Sequence, residues 1–163
     1  MAPGSEDDFA RDGVHNGPMK EPVISLSIPV LGVGAVIWND RREIVLIRRG
    51  KPPRLGQWSI PGGHVEWGEG LRDAIEREAR EETGLKIEIA GLIDVVDSIT
   101  HDADGKAVRH YVLVDFTARP ISGELHAGTD ASDARWVPYE SLDEYSLWSE
   151  TRRVIDLSAR SLR

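Results

Sequence analysis

The sequence contains no cysteine. Disulfides, thiolate metal sites and cysteine nucleophiles are therefore excluded. The absence suits a reducing compartment, and a cytoplasmic location is the expectation. No run of about 18 apolar residues occurs, so no membrane-spanning helix is predicted. The opening stretch, MAPGSEDDFARDGVHNGPMK, lacks the apolar segment of a signal peptide. Its Gly, Pro, Asp and Ser content predicts a disordered tail over residues 1–22, with Met1 and Met19 both candidate starts. Positive charge is also in deficit: 20 Lys and Arg against 28 Asp and Glu leave a formal charge of −8. Such a chain is a poor non-specific partner for nucleic acid or an anionic membrane. An anionic substrate would require a local basic patch or bound cations. No internal repeat is present. No histidine spacing matches a zinc site, and His64, His101 and His110 read as ordinary polar residues.

What is present is enough chain for one well-packed domain: 163 residues, 40% of them hydrophobic and 29% charged. That domain is expected over residues 23–163. Residues 30–38 (VLGVGAVIW) read as a strand, Asn39-Asp40 as a turn and 43–49 (EIVLIRR) as the returning strand. GKPPRLGQ is a loop by its Gly and Pro content. Residues 58–60 form a short strand candidate, and Pro61-Gly62-Gly63 reads as a sharp turn. Residues 71–83 (LRDAIEREAREET) are dense in helix formers, with Gly84 where a C-cap glycine belongs. Residues 86–99 and 107–118 read as strands joined across Asp104-Gly105, and 132–137 as another strand. A short helix over 139–145 and a final helix over 149–160 complete the chain. The order predicts an α+β fold with helices packed on a mixed sheet.

The helix over 71–83 has an unusual phase. At about 100° per residue, Leu71, Ile75 and Ala79 fall within roughly 80° of one another, the face a helix normally buries. Arg72, Asp73, Glu76, Arg80 and Thr83 fall on the opposite, solvent side. Glu82 projects between Leu71 and Ile75, Glu78 lies just beside Leu71, and Glu81 lies further round. Three carboxylates are thus placed on or beside the inward face. Like charges at these spacings repel, and unpaired burial costs more. A divalent cation removes both penalties, and carboxylate oxygens select hard ions such as Mg²⁺ or Mn²⁺. The alternative is an ordinary charged helix, with Arg77 paired to Glu81 and Arg72 or Arg80 paired to Glu76.

Residues 63–85 read GHVEWGEGLRDAIEREAREETGL. This stretch resembles the Nudix box, G-x5-E-x7-R-E-U-x-E-E-x-G-U with U apolar, at Gly63, Glu69, Arg77, Glu78, Ala79, Glu81, Glu82, Gly84 and Leu85. WSIPGG, HYVLVDF and DARWVP extend the resemblance, over roughly residues 30–157, to bacterial Nudix proteins described as ADP-ribose pyrophosphatases. The resemblance implies an α/β (α+β) fold of the Nudix type: an α/β/α sandwich with a mixed β-sheet. It implies magnesium-dependent hydrolysis of a nucleoside diphosphate derivative, with manganese able to substitute. Glu78, Glu81 and Glu82 are then metal ligands, with the Gly62 carbonyl a further one. Arg77 orients the glutamates, and Glu69 supports the loop or a water of the cation. The family also implies a small nucleotide as partner and a homodimer as the expected assembly.

A diphosphate resists hydroxide because its own oxygens repel the nucleophile; Mg²⁺ can neutralise that charge and activate water. Protein cations should assist. Residues 48–54 (RRGKPPR) hold Arg48, Arg49, Lys51 and Arg54, the densest basic patch, although alternation puts Arg48 and Arg49 on opposite faces. Outside the box the candidates for general base are Glu124, Asp130 and Asp133; Glu66 lies in the box loop, and Glu82 is the box candidate. Trp58, Trp148 and Tyr111 are candidates for stacking on a base, with core packing the alternative reading for each. ADP-ribose or a related nucleotide sugar is the first expectation for substrate, although SITHD lacks the proline that many such enzymes carry after the box. A house-cleaning triphosphatase of the mutator type is the second, favoured by Trp148. A catalytically inactive nucleotide-sensing domain is the third, disfavoured by the complete set of box glutamates.

Overall fold

The computed structural model describes residues 28–51 and 54–162. The tail expected over 1–22 lies outside the described residues. Seven strands and two α-helices follow in chain order. They are β1 (Val30–Ile37), β2 (Glu43–Arg49), β3 (Trp58–Ser59), β4 (Gly62–His64), α1 (Leu71–Thr83), β5 (Lys86–His101), β6 (Ala107–Ser122), β7 (Ala131–Pro138) and α2 (Ser149–Ser161). A 3₁₀ segment, Tyr139–Tyr145, stands where a short helix was expected. Among the described residues no helix is long and apolar enough to cross a membrane.

The strands form two sheets, ordered β4-β1-β6-β5 and β3-β2-β7. β1 runs parallel to β6, and the other pairs are antiparallel. The continuous apolar runs of β1 and β2 follow from burial on both faces. Val33, Ala35 and Ile37 of β1, with Val45 and Ile47 of β2, pack with Ile75 and Ala79 of α1. The alternate residues Val36, Ile44 and Leu46 pack with Val154 and Ile155 of α2. Each sheet face carries one helix, as a three-layer sandwich requires. Trp38 continues this second layer and donates its indole N–H to Ser158 Oγ at 2.8 Å.

Pro61-Gly62-Gly63 departs from the expected turn. Gly62–His64 is a short strand paired with β1, Gly34 opposite Gly62 and Gly32 opposite His64. β1 would otherwise leave a free edge, and the Pro61 carbonyl accepts from the Ala35 N–H at 2.9 Å. β6 runs through Pro120, beyond the last β1 partner at Ala118, so no ladder bond to β1 is lost there. On the α1 side of the long β5–β6 hairpin, Leu92 and Val95 are exposed, as are Ile99 and Val108 further along the hairpin.

α1 also corrects the helical reading. Thr83, expected in solvent, is fully buried: its hydroxyl bonds back to the Ala79 carbonyl, and the Leu85 N–H donates to it at 3.2 Å. The loop before β7 covers it, through the His126 N–H to the Thr83 carbonyl at 3.0 Å. Gly84 caps the helix at φ 72°, in the left-handed region.

Candidate active site

The box loop and α1 bring three acidic side chains and one backbone carbonyl to one arginine. Arg77 Nε lies 2.8 Å from Glu69 Oε1, and its terminal nitrogens lie 2.9 Å from Glu69 Oε2 and 2.9 Å from Glu78 Oε1. Glu81 Oε2 is 3.3 Å away, one helical turn on, and the His64 carbonyl accepts at 3.0 Å. Only a planar guanidinium can serve this many acceptors at once. The Glu69 carboxyl is pulled down to about 2, chiefly by Arg77 and then by the Glu66 N–H. That second bond, at 3.1 Å to Glu69 Oε2, closes the loop over 66–69. Asp73 in the first turn complements the helix N-terminus.

Glu82 has a different environment. It is 7% exposed, and Gly62 N–H donates to its Oε2 at 2.9 Å. Burial pushes its carboxyl up to about 7; the Gly62 bond opposes this and Glu78 adds to it. The resemblance implies a role for the Gly62 carbonyl at the cation; the N–H of the same residue makes this contact with Glu82. Glu78 lies at the same wall, where Gly63 makes room for it: a Cβ on Gly63 would stand 2.3 Å from Glu78 Oε1. Glu81, by contrast, is more than half exposed.

The donors fit a hard cation in type: carboxylate oxygens, two of them in a partly desolvated wall whose glycine leaves no competing side chain. In this arrangement Glu78 and Glu81 are held by Arg77, and among the described residues no three acid or histidine side chains converge on one point. Glu78, Glu81 and Glu82 would hold the cation, and its charge would relieve the repulsion between Glu78 and Glu82. Gly63→Ala tests the space directly. The clash falls on the end of a flexible side chain, so the fold should survive while the carboxylate moves. We expect kcat to fall more than about 10-fold with a melting temperature within a few degrees of wild type, measured by kinetics and thermal unfolding.

Gly62, Gly63, Arg77, Glu78, Glu81 and Glu82 line one cavity of about 670 Å³. Of the basic patch, Arg49, Lys51 and Arg54 line it. Arg48 does not: it is exposed and donates to the Gly56 carbonyl at 3.0 Å, tying the preceding loop. Strand alternation thus separates the two neighbouring arginines. Arg54 stacks over Trp148 with its guanidinium carbon 4.2 Å from the ring centroid. Trp58 and Tyr111 also line the cavity; Trp58 meets Tyr145 edge-on and Tyr111 stacks on His64. Asp130 reaches the cavity and pairs with Lys51. Glu66 lines it as well. Asp133 is engaged by Arg135 at 2.6 Å, and neither it nor Glu124 lines the cavity. Asp115, Arg109, Glu150 and Thr151 line it without having been singled out. For Asp115 a signal existed: it is the one acid in the otherwise apolar run YVLVDF.

Residues 29–157 match the family model described as NUDIX domain. The ADP-ribose pyrophosphatase of Methanocaldococcus jannaschii is 37% identical over 114 residues, 70% of this chain and 64% of that protein. The 8-oxo-dGDP phosphatase NUDT18 of Mus musculus is 31% identical over 130 residues, 77% of this chain and 38% of that protein. This chain thus spans less than two thirds of either relative. The solved structure of a MutT NUDIX hydrolase from Burkholderia pseudomallei superposes with a TM-score of 0.69 at 34% identity, covering 80% of this chain and 98% of that one. The chain belongs to the Nudix hydrolase family.

Proposed function

We propose that this protein hydrolyses the diphosphate linkage of a nucleoside diphosphate derivative, with ADP-ribose or a related nucleotide sugar as the preferred substrate. One observation carries the reading. Buried Glu82 and neighbouring Glu78 form one wall of a cavity that also holds Arg49, Lys51 and Arg54. An acidic protein thereby gains a basic seat for an anion beside a seat for a cation. Glu78, Glu81 and Glu82 would hold Mg²⁺ or Mn²⁺, with Gly62 beside them. Bound there, the ion supplies charge neutralisation at the diphosphate and a water of lowered pKa. Arg49, Lys51 and Arg54 bind and orient the phosphates. Arg77 positions Glu78 and Glu81 while Glu69 fixes Arg77. Glu82 and Asp130 are the acids placed to take a proton from the attacking water. The M. jannaschii relative supports the substrate class by its name.

The second reading, a nucleotide pyrophosphatase acting on oxidised nucleotides, draws on Trp148 at the cavity wall and on the NUDT18 likeness. Products separate the two. With Mg²⁺ and a substrate panel, ADP-ribose should give AMP and ribose 5-phosphate, at a kcat/KM at least about 10-fold above that for any nucleoside triphosphate. Preferential release of pyrophosphate from a triphosphate, with ADP-ribose left intact, would reverse the assignment.

A further inference from the structure

Asp115 sits in the middle of β6. Its neighbours Val114 and Phe116 pack on the α1 side, so its own side chain turns to the opposite face, where the cavity lies. It is 6% exposed. Across the sheet it faces Gly34 of β1 and Asp94 of β5. A Cβ on Gly34 would stand 2.3 Å from Asp115 Oδ1, so the carboxyl lies across β1 in space only a glycine leaves open. Asp94 is itself engaged by Arg153 at 2.7 Å and by the Val95 N–H at 2.8 Å. The Asp115 carboxyl takes part in no side-chain hydrogen bond or ion pair among the described residues. Among the described residues no side-chain polar atom sealed from solvent lacks a partner, so the Asp115 oxygens open onto the cavity. Burial raises its carboxyl to about 6, with Asp94 adding to the shift and Arg153 opposing it.

An unpartnered carboxyl in the middle of a strand costs stability and gains nothing from packing. A ligand that donates a hydrogen bond to it would remove the penalty. The ladder Gly62–Gly34–Asp115 spans two strand spacings, about 10 Å, from the Glu82 contact to this carboxyl. That length suits a nucleoside whose phosphates lie at the glutamates. Leu113 and Trp148, which also line the cavity, offer apolar surface for the faces of a base.

We propose that Asp115 reads the amino-bearing edge of the nucleobase and so sets base preference. This rests on the diphosphatase reading above. The buried acceptor favours a base that places an amino N–H against it, as adenine does, over hypoxanthine, which has a carbonyl oxygen there. Losing a partner at such a site is far more costly than losing apolar contact.

The test compares ADP-ribose with its hypoxanthine counterpart, which differs in that edge, for wild type, D115V and D115N. Valine is nearly isosteric and favours strands, so the fold has no reason to fail. Wild type should prefer the adenine substrate by at least about 10-fold in kcat/KM. D115V should bring the ratio to within about 3-fold, through KM rather than kcat. D115N, which keeps a carbonyl oxygen, should hold KM for ADP-ribose within about 3-fold. A wild type indifferent to the base, or a D115V that keeps the wild-type ratio, overturns the proposal. Should wild type cleave neither substrate, the hydrolytic reading fails and recognition is read from ADP and IDP binding by calorimetry. Tighter ADP binding in wild type that D115V abolishes supports the role of Asp115, and equal binding in both proteins refutes it.

Discussion

Glu82→Gln is expected to lower kcat at least about 10²-fold and, in chelator at pH 8, to raise the melting temperature. Both effects have the same origin. Glu82 is buried in a wall from which, among the described residues, it accepts one N–H, and ionised it lies beside Glu78. Its folded pKa, about 7, exceeds the ordinary 4.5. The native state therefore binds more protons than the unfolded chain between those values, and metal-free stability falls as pH rises from 4.5 to about 7. A shift of that size corresponds to roughly 3 kcal/mol. Glutamine keeps the shape and accepts the same Gly62 N–H, but carries no charge. The variant should lose this part of the pH dependence, and Mg²⁺ should stabilise it less than wild type. Thermal melts from pH 5 to 8, with chelator or magnesium, provide the measurement. A variant with near-normal turnover, or one destabilised at pH 8 in chelator, would remove Glu82 from the role assigned to it.

Arg77→Ala should do damage of the opposite kind, losing stability and activity together. The Arg77 side chain is 18% exposed, and its guanidinium holds Glu69, Glu78, Glu81 and the His64 carbonyl in one network. Removing it leaves Glu69 and Glu78 facing each other with little solvent and frees the box loop from the helix. Breaking a partly buried network of this kind costs about 2–4 kcal/mol, and kcat should fall more than about 10-fold as Glu78 loses its anchor. Arg77→Lys should recover little, because an ammonium cannot bridge both Glu69 oxygens while reaching Glu78. Denaturant titration and steady-state kinetics on both variants decide the point. A lysine variant with wild-type stability and turnover would show that the fork geometry is dispensable.

Much of the layered fold was legible because periodicity carries it. β1 and β2 read as unbroken apolar runs, and they are the strands covered on both faces. The phase of Glu78 and Glu82 against Ile75 and Ala79 was legible for the same reason. Departures arise where tertiary contacts overrode local chemistry. Pro61-Gly62-Gly63 has turn composition, but the open edge of β1 recruits it as a strand. Thr83 falls on the polar side of the wheel, but the 123–130 loop closes over it and its hydroxyl satisfies itself on the helix. The basic patch could be seen as a cluster, yet only the fold shows that Arg48 turns to tie its own loop while Arg49 lines the cavity. Asp133 and Glu124 were as plausible as Asp130 by position; β7 commits Asp133 to Arg135 instead. The role of Asp115 is not legible in the sequence, because a cavity on the α2 side of the sheet cannot be inferred from one strand.

The central claim is that the carboxylates of one helix gather a divalent ion, and Mn²⁺ binding tests it most directly. Adding metal-free protein to Mn²⁺ removes the free-ion resonance in proportion to what is bound. Wild type should bind the ion, and a protein carrying E78Q and E82Q should leave nearly all of it free at the same concentrations. Equal binding by the two proteins would place the ion elsewhere and contradict the account.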